Sequence, residues 1–167
     1  NAAQIVLLDS DFSKMPEVVL EGRRVVNNIQ TSASLFLVKN IFSILTTVFT
    51  LIAANLYPLY PTQLSLLGAF TIGTPAFVLA LQPNKELIRG DFLVNVILKA
   101  LPAGLADFIM LAAISIHGNI LGMSNEQIST VAIVILLFIG LAALVRICRP
   151  FDGIRILLCL AMAAGIV

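Results

Sequence analysis

A carboxylate, an ammonium and an amide occur inside stretches of this sequence that are otherwise apolar. Asp107 is the sole carboxylate deep in any such stretch, about 20 Å along a helix from Val94. Lys39 and Asn40 stand side by side in an earlier stretch. A polar or ionisable group at membrane depth is costly, so it is a functional candidate by default. Asp107 could face a water-filled path, bind a proton or pair with a cation, and Asn40 offers a carbonyl oxygen suited to a hard cation.

A second set of candidates lies in the stretch that contains Gly68, Thr71, Gly73, Thr74 and Pro75. Pro75 removes a backbone hydrogen bond, and Gly73 lowers the resistance of the helix to unwinding. The pattern predicts an interrupted helix with carbonyl oxygens freed near Thr71, as in helices that coordinate ions in membrane transporters. The alternative is a proline kink whose small residues only permit close packing.

Polar residues of the first apolar stretch recur on one helical face. Their spacing of i, i+3, i+7 and i+10 covers Asn40, Ser43, Thr47 and Thr50. Hydrogen bonding between helices is the better explanation for the threonines, whereas for Asn40 both this explanation and a role as an ion ligand stay open. Lys39 could extend its ammonium back to the membrane boundary, which is slightly favoured, or point inward as a fixed charge on an ion path.

The composition indicates a membrane protein. Of 167 residues, 59% are hydrophobic and 11% are charged, and the mean hydropathy is +1.04, far from the makeup of soluble domains. Ten Lys and Arg against nine Asp and Glu give no sign of a nucleic-acid partner. Cys148 and Cys159 lack metal-site spacing, so we interpret them as reduced packing residues. The sequence contains no catalytic motif of known spacing.

The apolar stretches predict an all-α membrane protein, a bundle of about five transmembrane helices. A short strand at Ile5 to Leu8, within residues 1–12, and a stalk helix over 13–32 precede the first span. We expect the stalk and the first span to form one continuous helix, because no Pro or Gly lies between Gly22 and Leu51. The start at Asn1 and the apolar end suggest a fragment. The predicted spans are 33–54, 63–81, 94–116, 130–145 and 154–167.

Positive charges predict the orientation of the spans. Lys and Arg precede the first span and occur in loops 82–93 and 146–153, whereas the connections 55–62 and 117–129 contain none. Cytoplasmic loops of membrane proteins are enriched in these residues. We therefore expect a multi-pass protein of the cell membrane whose N-terminus and loops 82–93 and 146–153 are cytoplasmic.

Three sequence segments resemble the P-type (E1-E2) cation-transporting ATPases. Residues 5–30, IVLLDSDFSKMPEVVLEGRRVVNNIQ, are similar to the end of the phosphorylation domain and the stalk of that family. LYPTQL at 59–64 and GTPAFVLALQPN at 73–84 are similar to its sixth membrane helix. The resemblance covers essentially the whole chain. It implies that 1–12 end the phosphorylation domain and that 33–167 correspond to the fifth to ninth membrane helices.

The resemblance also implies a set of metal ligands. Asn40 matches a liganding asparagine of the fifth helix, and Thr71 a liganding threonine of the sixth. Ser43 and Ile72 stand where calcium pumps have carboxylates, and fewer carboxylates favour one bound cation over two. Lys39 is similar to the lysine that acts as a built-in counter-cation in proton/potassium pumps. The full set of ion-binding candidates is Asn40, Thr71, Ser43, Gly68, Ile72 through its backbone, Thr74 and Asp107.

The function implied by the resemblance is the C-terminal membrane portion of an ATP-driven pump for calcium or another divalent cation. ATP and Mg²⁺ would bind the remainder of the pump, which comprises the actuator, nucleotide and phosphorylation domains and the first four helices. The fragment itself would carry no catalytic residue and would contact the lipid bilayer. Two alternatives stay open, a secondary transporter or channel without ATP hydrolysis and a scaffolding subunit. A helix break between Arg24 and Asn40, or Asn40 facing acyl chains, would contradict the pump interpretation.

Overall fold

The computed structural model describes residues 12–53, 57–84, 86–88, 90–149 and 151–166, and these form a bundle of α-helices. A 3-10 turn, Phe12–Lys14, leads into the first helix, and no strand occurs among the described residues. The predicted strand at 5–8 lies outside them. The helices are α1 Met15–Ala53, α2 Pro61–Gly68, α3 Thr74–Ala80, α4 Phe92–Ile120, α5 Asn125–Ile147 and α6 Gly153–Ile166, with a π-helical turn, Ala69–Gly73, between α2 and α3.

The helix α1 is unbroken over 39 residues, a length of about 58 Å. Pro16 falls in its first turn, where the missing N–H has no intrahelical acceptor to lose. The prediction that one continuous helix joins the stalk to the first span is therefore confirmed, and α1 has no break between Arg24 and Asn40.

Among the described residues, four helical segments are long and apolar enough to cross a membrane, which confirms the all-α membrane bundle. They are Phe12–Ala53, Pro61–Ala80, Phe92–Ile120 and Asn125–Ile147. The fifth predicted span, 154–167, corresponds to α6, an apolar helix of 14 residues. That helix is shorter than the roughly 20 residues that a bilayer requires.

Close contact between α1 and α4 depends on a glycine. A Cβ atom on Gly104 would lie 2.9 Å from the Ile41 Cβ and 3.0 Å from the Val38 carbonyl oxygen. The two helix backbones therefore approach directly, as small residues allow in membrane bundles. Further along the same interface, Phe42 and Leu111 are each 1% exposed and form part of the core.

Hydrogen bonds tie α1 to the segments that follow α3 and α5. The Asn28 Nδ2 donates to the carbonyl oxygens of Ala80 and Gln82, both at 2.8 Å. The Gln82 Oε1 accepts from the Arg155 Nε at 2.7 Å, and Arg155 also donates to the Cys148 carbonyl oxygen at 3.3 Å. This buried network fixes the ends of α3, α5 and α6 relative to α1, at the end of the bundle where α1 enters.

Candidate cation-binding site

The helix that contains Pro75 widens into a π-turn and does not unwind. The Thr74 N–H donates to the Ala69 carbonyl oxygen, five residues back. Gly73 keeps a right-handed helical conformation, with φ −62° and ψ −59°. An interruption is therefore present before Pro75 in the form of a π-turn, and the helix continues through it. Because Pro75 has no N–H, it cannot donate to the Thr71 carbonyl oxygen, which an ordinary residue would do in an α-helix.

A small cavity lies beside the π-turn, between α1, α2, α4 and α5. Its polar lining comes from Lys39, Gly68, Thr71 and Asp107, and apolar side chains such as Phe42 close the rest of it. The enclosed space is ≈ 20 Å³, enough for about one water-sized molecule. We call it the cation cavity.

Asp107 contributes the carboxylate of the cation cavity. The residue is 4% exposed, and its buried Oδ1 atom has no hydrogen-bond partner in the described part of the chain. The great majority of buried polar atoms in folded proteins are hydrogen-bonded, so an unsatisfied carboxylate oxygen needs an explanation. A cation or a proton bound in the cavity would supply the missing partner.

Lys39 also reaches the cation cavity. Its Nζ lies 3.7 Å from the place where a Cβ atom on Gly68 would stand. The residue is exposed on this chain, and its nitrogen lies beside α2. The two directions given above for this side chain, toward the membrane boundary and toward an ion path, stay predictions. Gly68 leaves space for the Lys39 ammonium because glycine has no side chain. Its contribution to the site is space for the lysine.

Thr71 presents its side chain from the π-turn and is 5% exposed. Its hydroxyl donates to the Leu67 carbonyl oxygen at 2.6 Å, which leaves the oxygen lone pairs available to a ligand. Gly140 of α5 lies directly behind it, since a Cβ atom there would come within 2.5 Å of the Thr71 Cγ2. The sequence argument did not single out Gly140, although an isolated glycine in an apolar helix is a recognised packing signal.

Replacement of Gly140 by alanine is expected to displace Thr71 and to destabilise the protein, because the added Cβ atom would overpack the contact. Overpacking of this kind costs about 1–3 kcal/mol of folding free energy, so the melting temperature should drop. Gly22→Ala is the matched control, because a Cβ atom there would meet nothing within 4 Å. Equal melting temperatures in the two variants would show that the contact between Gly140 and Thr71 is not tightly packed.

Three predicted ligands do not line the cation cavity. Asn40 and Thr74 are exposed on this chain, and Ser43 is partly buried. Within the described part of the chain, the side-chain amide of Asn40 makes no hydrogen bond. The structure therefore brings Thr71, Gly68, Ile72 and Asp107 to one cavity with Lys39, and it leaves the asparagine on an outer face of α1.

The threonines on that face hydrogen-bond within α1. The Thr47 hydroxyl donates to the Ser43 carbonyl oxygen at 2.8 Å, and the Thr50 hydroxyl to the Thr47 carbonyl oxygen at 2.9 Å. Thr47 and Thr50 therefore bond to carbonyl oxygens in the preceding turn of their own helix and not to another helix. Ser and Thr side chains can both make such bonds in helices. The Asn40 side chain makes no such bond within the described part of the chain.

The cation cavity is low in negative charge. Across the described residues, no three His, Cys, Asp or Glu side chains come together as a metal cluster. A cation in the cavity would be held by one carboxylate together with neutral oxygens. Such a donor set suits a hard cation and disfavours soft metals that prefer thiolate or imidazole ligands.

Comparison with known proteins finds similar membrane ATPases. The chain is 36% identical to a probable cation-transporting ATPase of Streptococcus pneumoniae over 98% of its own length. It is 36% and 39% identical to the calcium-transporting ATPases CtpE of Mycolicibacterium smegmatis and Mycobacterium bovis, over 93% and 95% of its length. The chain spans 22% of each of these relatives. No family model and no solved structure matches it.

Proposed function

Because the chain belongs to the P-type cation-transporting ATPases, we propose that it forms the C-terminal membrane portion of such a pump and supplies part of the ion-binding site. The carrying observation is the buried, unsatisfied carboxylate oxygen of Asp107 in a cavity beside the π-turn. Calcium or another divalent cation is the proposed substrate, since carboxylate and neutral oxygens are the ligands that calcium takes.

The geometry of α1 supports a coupling role. This helix runs without interruption from the stalk residues to Lys39 at the cation cavity. A rigid helix of about 58 Å transmits a displacement at one end to the other. In the proposed pump, ATP and Mg²⁺ bind the actuator, nucleotide and phosphorylation domains, and phosphorylation moves α1 and thereby changes the cavity.

We further propose that the complete ion site extends past the cation cavity to Asn40, with Ser43 and Thr74 as secondary contributors. Asn40 is exposed on this chain, and an amide at membrane depth is costly when it faces lipid. The first four helices of the pump, which this chain does not contain, would cover it. Lys39 would act as a fixed counter-charge to Asp107 when the cation leaves.

The orientation that we propose has the N-terminus and loops 82–93 and 146–153 on the cytoplasmic side. The distribution of Lys and Arg supports it, because the connections 55–62 and 117–129 contain neither residue. The phosphorylation domain would then lie in the cytosol, where ATP is available.

ATP hydrolysis by the purified full-length protein tests this function. Calcium, manganese, magnesium and potassium are added in turn, with Mg–ATP present throughout, and the acid-stable phosphoenzyme is measured alongside. We expect one divalent cation to stimulate hydrolysis with a Hill coefficient near one, because the cavity admits a single ion. Cation flux in proteoliposomes without ATP, and without phosphoenzyme, would favour a secondary transporter or channel and would overturn the proposal.

A further inference from the structure

A second, larger cavity lies between α1, α4 and the segment 86–88. Its volume is ≈ 470 Å³, and Gln30, Glu86, Lys99 and Asn95 contribute polar groups to it. None of these residues belongs to the cation cavity. We call it the boundary cavity, because the helix packing places it near the predicted start of the first span.

The packing of α1 against α4 places the boundary cavity level with the predicted start of the first span. Gly104 touches Val38 and Ile41, and Lys99 lies five residues before Gly104 on α4. Five residues correspond to about 7.5 Å along the helix axis, so Lys99 is level with the start of the first span near residue 33. Gln30 precedes that start by less than one turn.

The polar groups of the boundary cavity carry both signs of charge. The Lys99 ammonium donates hydrogen bonds, and so can the Gln30 amide. Gln30 is only 7% exposed, and its side chain makes no hydrogen bond within the described part of the chain. Glu86 supplies a carboxylate to the same space. Phosphate oxygens can accept hydrogen bonds from Lys99 and Gln30, and a cationic amine can pair with the Glu86 carboxylate.

Two exposed apolar side chains line the boundary cavity. Leu87 and Ile88 are 61% and 41% exposed. A soluble anion would gain nothing from these side chains, whereas acyl chains would cover them. We propose that the boundary cavity binds the head group of a zwitterionic phospholipid, phosphatidylethanolamine, with its phosphate on Lys99 and Gln30 and its amine on Glu86.

Lipid binding to the full-length pump in detergent tests the proposal without reference to ATP hydrolysis or to the transported ion. Delipidated protein is titrated with phosphatidylethanolamine, and bound lipid is counted by native mass spectrometry. Lys99→Gln should weaken binding by about two- to fivefold, the range for one exposed charge pair. Arg146→Gln is the matched control, because Arg146 is an exposed cation at the end of α5 that does not line the cavity.

Glu86→Gln tests the choice of head group. The wild-type pump should prefer phosphatidylethanolamine over phosphatidylglycerol, and this variant should lose the preference. Competition by soluble phosphoethanolamine as effective as that by the intact lipid would show a soluble-anion site and would overturn the lipid assignment. Unchanged binding in Lys99→Gln, or an equal loss in Arg146→Gln, would also overturn it.

Discussion

Asp107→Asn in the full-length pump is expected to abolish cation-stimulated ATP hydrolysis at ion concentrations that saturate the wild-type protein. Asp107 is the carboxylate of the cation cavity, and asparagine has nearly the same shape without the charge. Removing one partner of a buried charge pair costs about 3–5 kcal/mol. The apparent ion affinity should therefore fall by at least about a hundredfold.

The stability of the same variant separates a binding role from a structural role. The Asp107 Oδ1 has no hydrogen-bond partner among the described residues, so the substitution breaks no bond to that atom. The melting temperature without ions should stay equal or rise. Asp91→Asn is the matched control, because Asp91 caps α4 through Leu93 and Val94 and lies outside the cavity. Normal ion affinity in Asp107→Asn would exclude the cation cavity as the site.

Asn40→Ala is expected to have the second-largest effect, a loss of most ion-stimulated hydrolysis. Asn40 makes no hydrogen bond within the described part of the chain. In the proposed pump its carbonyl oxygen ligates the cation together with helices outside this chain. A hydrogen bond to a charged group contributes about 1.5–3 kcal/mol, and we expect a neutral oxygen ligand of the cation to contribute a similar amount. The apparent ion affinity should therefore fall by about ten- to a hundredfold.

Thr47→Ala is the control for Asn40→Ala. Thr47 occupies the same exposed face of α1 two turns later, and its hydroxyl is already bonded to the Ser43 carbonyl oxygen. The control should change ion affinity by less than about twofold, as is usual for an exposed substitution. If Asn40→Ala retains full stimulation, Asn40 is not a ligand, and the site is confined to the residues that line the cation cavity.

Sequence reasoning succeeded where local rules act alone. The continuous α1 follows from the lack of Pro and Gly between Gly22 and Leu51, and hydropathy predicts the long spans. The interruption before Pro75 was also predicted, because proline cannot donate a backbone hydrogen bond. Its form was not predicted, because a π-turn and an unwound segment both accommodate the proline.

Contacts between helices were beyond the sequence argument. The direction of Lys39 depends on the space that Gly68 leaves on another helix, and the position of Thr71 depends on Gly140. The network of Asn28, Gln82 and Arg155 joins residues up to 73 positions apart. No local periodicity reports such pairs. The partner of Asn40 could not be inferred for another reason, since it would lie on helices outside this chain.

Equilibrium binding of the radioactively labelled cation tests the central claim, that the cavity around Asp107 holds the transported ion. The label is on the cation that stimulates hydrolysis most, and bound ions are counted per phosphorylation site in the full-length pump. We expect a single ion in the wild-type protein and none in Asp107→Asn, with Asp91→Asn unchanged. Full binding in Asp107→Asn would contradict the claim.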